Sequence, residues 1–232
     1  MRAKIILEAF GVFILCFAQL LGGGPLPMAA LLAALTYLAA PAGFPHFNPA
    51  VTLAFRLRGR VSSRVAWASV GVHLLAAVAA LFLAACLMGH DPERTKEAAA
   101  RMHDSVLDGL TTSVVTEGLG TAFFVLVALT VGASRRTAGN SYFGLAVGLA
   151  ALGYAGALSD YGPFLNPLVA LVGASRGWAE SLVDGSADAK ALLAETLLLA
   201  KVAPRVAADV AAQCGGAVLA AWLFRVVSPE DR

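Results

Sequence analysis

Two short stretches carry the side chains with chemistry to offer. In FNPAVTLAFRLRG (Phe47–Gly59) and LNPLVALVGASRG (Leu165–Gly177), an Asn-Pro pair opens an apolar run. Asn48 and Asn166 each bring a side-chain amide, with two N–H donors and one carbonyl acceptor. Asn is a strong helix N-cap, and Pro suits the first helical position because its missing N–H would be unpaired there anyway. Asn48 and Asn166 are therefore expected to cap two short helices, roughly 49–57 and 167–175. Each is too short to cross a bilayer. A helix N-terminus carries roughly half a positive charge. Two such ends brought together would repel cations and protons and leave both amides free to donate to a passing oxygen. Half-helix dipoles combined with lining donors are one physical means of selecting small uncharged solutes.

The rest of the chain must hold those two pairs. Of 232 residues, 59% are hydrophobic and only 14% charged, against about a quarter charged in a soluble domain. The fold class expected is an all-α membrane protein with the lipid bilayer as its solvent. Six spans are expected, roughly 4–22, 25–41, 65–88, 112–133, 141–158 and 205–227. Arg2, Lys4, Arg56, Arg58, Arg60, Arg64, Arg135, Arg136 and Arg225 fall on one side of these spans. The positive-inside rule makes that side, with both termini, cytoplasmic. The acidic Gly89–Asp108 segment and Arg176–Arg205 then face the other way, and Lys190–Lys201 reads as an amphipathic surface helix or a solvated helical loop leading to the sixth span.

The chain also repeats. Glu8-Ala9-Phe10-Gly11 parallels Glu117-Gly118-Leu119-Gly120, and the two Asn-Pro stretches agree at six positions: Asn48/Asn166, Pro49/Pro167, Val51/Val169, Leu53/Leu171, Arg58/Arg176 and Gly59/Gly177. The repeats run over about 1–88 and 110–227 of a single 1–232 domain. Each holds three spans, an odd number, so the second enters the membrane from the opposite side. Such inverted repeats place their site near the midplane, where the halves meet.

Several functions are disfavoured. No basic run is interleaved with aromatics as a nucleic-acid face requires. No phosphate loop, metal-ligand cluster or nucleophile–base set stands out, so neither an enzyme nor a cofactor is expected. Cys16, Cys86 and Cys214 lie in apolar runs and are expected to be small buried side chains. Glu8 interrupts the first apolar run, which is read as a retained helix rather than a signal peptide.

HFNPAVTLAF resembles the first signature of the aquaporin (major intrinsic protein) family, and FLNPLVAL resembles a variant of the second. The resemblance covers the whole chain. It implies six spans with two re-entrant half-helices, a homotetramer with one pore per subunit, and passive conduction of water. It makes Asn48, Pro49, Ala50, Asn166, Pro167 and Leu168 the pore motifs, with Glu8 and Glu117 supporting the re-entrant loops. His46 matches a histidine that often lines the pore, a neutral packing role being the competing reading. His73 stands where the family often has glutamine, and Gln213 is its counterpart; a buried hydrogen-bonding role is expected of His73.

The departure lies in the second motif. Most water- and glycerol-conducting members carry an arginine three residues after the second Asn; here that residue is Val169, and Arg176 has no register to replace it. The resemblance gives a selectivity filter of Tyr154, Pro163, Val169 and either Met28 or Leu31. Asp160 is expected to bond within its loop, and Tyr161 and Phe164 to pack. Tyr154–Leu171 with an aliphatic residue in place of arginine is similar to the superaquaporin branch, associated with water, glycerol and hydrogen peroxide. Two readings compete with a water channel: a low-permeability structural or adhesive protein of the same fold, and a coupled secondary transporter. Against the transporter, Glu8, Glu117 and Asp209 show no evident ionisable partner in the sequence.

Overall fold

Within hydrocarbon every backbone N–H and C=O must be satisfied inside its own segment, so apolar runs of this length become helices. The computed structural model describes residues 2–89, 110–158, 164–183 and 189–231, and no strand occurs among them. The helices are α1 (Arg2–Leu20), α2 (Pro25–Ala39), α3 (Pro49–Leu57), α4 (Ser63–Met88), α5 (Leu110–Ala133), α6 (Phe143–Ala157), α7 (Pro167–Val183) and α8 (Ala189–Val227). Pro25 occupies the opening turn of α2, and the Ser62 hydroxyl caps α4 by accepting from the Val65 N–H. Among the described residues five helices are long and apolar enough to cross a membrane, α2 being counted with its 3-10 extension to Ala42; α6, at 15 residues, is shorter. The acidic stretch from 90 to 109, and Asp160, Tyr161 and Pro163, lie outside the described residues.

The inverted repeat is visible in the packing. α1 lies along α4, and α5 along α8, while α2 and α6 meet where the halves join. The half-helices interlock: α3 leans on α8, and α7 leans on α4. Each half therefore seats its short helix partly against the last span of the other.

The two short helices end differently, although their sequences align. α3 stops after Leu57, followed by Gly59 in the left-handed region (φ 67°). α7 runs through the aligned Gly177 to Val183, well beyond the expected 167–175. A side-chain pairing accounts for the difference. Arg176 Nε donates to Glu180 Oε1 one turn on (2.7 Å) and Nη1 to the Leu20 carbonyl (2.8 Å), while Trp178, Ala179 and Val183 pack on the core shared by α1 and α4. Nor is 190–201 a separate element. It is continuous with the last span through Pro204, as one helix of 39 residues. At about 1.5 Å per residue, α8 spans roughly 58 Å and outreaches a hydrocarbon core of about 30 Å. The cysteines meet the expectation only in part: Cys16 is buried, Cys214 is half-buried and Cys86 is exposed on α4, and all three thiols are free.

The chain's end ties together loops of both halves. Asp231 sits in a 3-10 turn after α8, and its carboxylate accepts from Arg60 (3.1 Å) and from the Arg135 backbone N–H (3.0 Å). Its carbonyl accepts from Arg58 and Arg60. Burial alone would push this carboxyl's pKa up. The Ser134 hydroxyl, the Arg135 N–H and the Arg60 and Arg135 charges outweigh it and hold the pKa below the ordinary value. A depressed folded-state pKa stabilises the fold above the unfolded value, near 4, and that contribution is lost as pH falls through the folded value. Asp231→Asn should lower the unfolding midpoint at neutral pH and flatten its decline below about pH 4. Thermal unfolding of both proteins in detergent from pH 3 to 7 measures this; parallel curves would show that the clasp contributes nothing.

Candidate pore at the meeting of the half-helices

Asn48 has extended backbone (φ −157°, ψ 123°), and its Oδ1 accepts from the Ala50 N–H at 2.8 Å. Asn166 repeats this with the Leu168 N–H at 3.1 Å. The residues just before them, Phe47 (φ 51°) and Leu165 (φ 56°), both occupy the left-handed region. Non-glycine residues there cost of order 1–3 kcal/mol and persist only where their surroundings over-determine them. Both lie in the same place of the repeat, so the strain belongs to the design of the turn.

That conformation makes the two halves exchange hydrogen bonds. Asn48 Nδ2 donates to the Leu165 carbonyl at 2.7 Å, and Asn166 Nδ2 donates to the Phe47 carbonyl at 3.0 Å. One N–H of each amide is thus committed across the repeat, and the other has no partner among the described residues. The amides are half committed rather than wholly free, as expected from sequence, because each must satisfy the carbonyl its partner's turn exposes.

Buried carboxylates hold both turns. Glu8 accepts from the backbone N–H groups of His46 (2.9 Å) and Phe47 (2.8 Å), and Glu117 from those of Phe164 (2.6 Å) and Leu165 (3.0 Å). A further donor steadies each acid: His73 Nε2 lies 2.9 Å from Glu8 Oε2, and Gln213 Nε2 lies 2.9 Å from Glu117 Oε2. Three residues beyond each glutamate a glycine makes room for the strained residue. A Cβ on Gly11 would lie 2.2 Å from the Phe47 ring, and one on Gly120 would lie 2.6 Å from Leu165 Cδ2. The short Glu-x-x-Gly match in the sequence is thus a complete support: the acid fixes the backbone and the glycine seats the side chain.

The embedded acids do have ionisable neighbours, contrary to the sequence reading. His73 and His46 flank Glu8, the latter with Nδ1 at 3.9 Å, and Arg205 pairs with Asp209 at 3.0 Å. His73 comes from another span, and Arg205 is one helical turn from Asp209. The pairing of Asp209 was therefore open to reading from the i, i+4 spacing.

A cavity of about 390 Å³ adjoins the paired amides. Asn48, Asn166, His46, Met28 and Val169 line it, with Gln19, Leu32, Phe124, Ala151, Ala155 and Phe164. None of its described lining residues carries a formal charge at neutral pH with His46 neutral. His46 Nδ1 is 3.1 Å from the Thr52 hydroxyl, which itself donates to the Asn48 carbonyl. That direction of donation puts the histidine proton on Nδ1 and leaves Nε2, which has no partner among the described residues, as an acceptor.

Of the expected filter residues, Met28 and Val169 lie on the cavity, and Pro163 lies outside the described residues. Tyr154 and Leu31 do not line it. The Tyr154 hydroxyl donates to the Thr116 carbonyl (2.9 Å) and its ring fills the space beside Gly120, while Leu31 packs on the α1/α4 core. Ala151 and Ala155, one turn apart, present α6 to the cavity instead. Arg176 is held at Leu20 and Glu180 and is also absent from the lining. Sequence reading missed Gln19, although a lone amide four residues from Leu15 on an apolar helix was a signal. Phe124, Phe164 and the two alanines offered none, being indistinguishable from packing residues.

No curated protein matches the chain significantly. A family model described as Major intrinsic protein matches residues 11–178, which include both Asn-Pro turns and Glu117, with Glu8 three residues before the matched range. With its aquaporin-like inverted pair of half-helices, the chain belongs to the major intrinsic protein family and is a membrane channel of that family.

Proposed function

We propose that the protein conducts water, and small neutral solutes such as glycerol and hydrogen peroxide, passively down their gradients. One observation carries this reading: two helix N-termini and two half-committed amides meet at an uncharged cavity of about 390 Å³. The positive ends oppose cations, and the remaining amide N–H of each Asn offers a donor to an uncharged oxygen. Val169, 5% exposed, stands where an arginine would narrow and polarise the passage. The apolar lining favours solutes larger and less polar than water alone would require. The basic loops support cytoplasmic termini by the positive-inside rule, and the family resemblance supports a homotetramer.

Stopped-flow light scattering on proteoliposomes tests the reading; shrinkage no faster than in empty vesicles, by the wild type and by Phe44→Ala alike, removes it. Val169→Arg should lower glycerol permeability about tenfold, equivalent to a barrier raised by ~1.4 kcal/mol, and lower water permeability less. Glycerol flux equal to wild type would mean that this residue does not bound the passage.

A further inference from the structure

The structure contains a second cavity that the paired amides do not explain. About 400 Å³ in volume, it lies on the face bearing the termini, among the ends of α2 and α5, the start of α6 and the 134–140 loop. It shares no lining residue with the cavity at the amides. α5 and α6 contribute residues to both linings. The two linings come closest in sequence at Phe44 and His46.

An aromatic cluster connects them. Phe44 lines the inner chamber, and His46, two residues on, lines the outer. The Phe44 ring stacks on Phe55 (centroids 5.4 Å, interplanar angle 8°), and Phe55 in turn lies 4.7 Å from the His46 ring. On its other side Phe44 meets the edge of Phe143, itself 4.9 Å from Tyr37. The Phe44 ring rests on Gly132 of α5, where a Cβ would lie 2.6 Å away, so it reaches across to the opposite wall.

We propose that the two cavities belong to one passage and that Phe44 is a hydrophobic gate closing its inner half in this conformation. This rests on the channel reading above. A ring of apolar side chains expels water from a narrow neck without any charge being present. Phe44 is also built to move. It follows Gly43, whose φ of 109° only glycine adopts readily, and the one atom near the position a Cβ would take there is Lys4 Cδ, at 4.0 Å. Its carbonyl accepts from Lys4 Nζ at 2.9 Å, a tether to α1 that holds the closed position. Opening swings the ring off Gly132 and Phe55 and joins the chambers.

The test compares the purified full chain with Phe44→Ala and Phe44→Leu in proteoliposomes, at equal reconstituted protein and with each variant first shown to be folded by size exclusion. Phe44→Ala should raise water permeability per channel about tenfold, as a barrier lower by ~1.4 kcal/mol gives, and Phe44→Leu should fall between it and wild type. If the alanine variant fails to fold, the leucine variant decides. A conducting wild type with folded variants no faster than itself overturns the gate and leaves the channel standing. Wild type and both variants all at the empty-vesicle rate would overturn the gate and the channel reading together.

Discussion

Glu8→Ala should destabilise the protein by about 3–5 kcal/mol, the range for breaking a buried, hydrogen-bonded charge pair, and abolish water flux. Its carboxylate is the acceptor for two backbone N–H groups, of His46 and Phe47, and the partner of His73 Nε2. Both Glu8 and His73 are fully buried. Alanine leaves those donors without a partner, at about 1–3 kcal/mol for each unsatisfied group. The loss is concentrated where it harms function most. Phe47 is left-handed, and its carbonyl accepts the Asn166 amide, so releasing its N–H frees the turn that positions the other half's Asn. Glu8→Gln should be milder, since one amide oxygen still accepts while the amide N–H₂ faces the second donor. Thermal unfolding of the purified variants, paired with vesicle shrinkage, measures both effects. A Glu8→Ala protein as stable as wild type to within about 1 kcal/mol, a large fraction of ordinary fold stability, would remove the glutamate's supporting role.

Gly11→Ala should be the most damaging single-methyl change in the first repeat. The new Cβ would sit 2.2, 2.4 and 2.7 Å from three atoms of the Phe47 ring. That ring is buried and its backbone is pinned by Glu8, so neither it nor α1 can shift cheaply. Overpacking of this kind costs typically 1–3 kcal/mol, and the displaced Phe47 carbonyl should also reduce flux. Gly118→Ala supplies the contrast. Its Cβ would meet only Ala212 of α8, at 3.5 Å or more, which is ordinary contact. There the gain in helix propensity, about 1 kcal/mol, should leave stability unchanged or raised. Equal unfolding midpoints for the two variants would mean that the Phe47 seat is not what Gly11 provides.

Much of the pore's scaffold could be read before the structure because its parts are local and occur twice. Asn48-Pro49 and Asn166-Pro167 state their own helix starts through N-cap and proline chemistry, and an odd number of spans per repeat dictates inversion. Glu8 and Glu117 stood out as acids in apolar runs. What stayed hidden depended on partners remote in sequence. α7 outruns α3 because Arg176 finds Leu20, 156 residues away, besides its neighbour Glu180. Tyr154 faces away from the cavity because Gly120 on α5 leaves a slot for its ring and Thr116 offers a carbonyl. The alanines of α6 reach the cavity by having no side chain to turn elsewhere, and composition does not mark such positions.

The crossed amides also set a timetable. Asn48 and the carbonyl it donates to are 117 residues apart, and the reciprocal pair is 119 apart. At roughly 5–20 residues per second of synthesis, the first turn waits about 6–24 s before its counterpart has even been made. During that interval Asn48 and the strained Phe47 lack their hydrogen bonds to the second half, and the turn cannot settle on its own. The nascent first half must therefore keep that loop near water or in the care of another protein. A ribosome stalled midway would leave a partly inserted chain with this turn still lacking its partner, a feature that quality control could recognise.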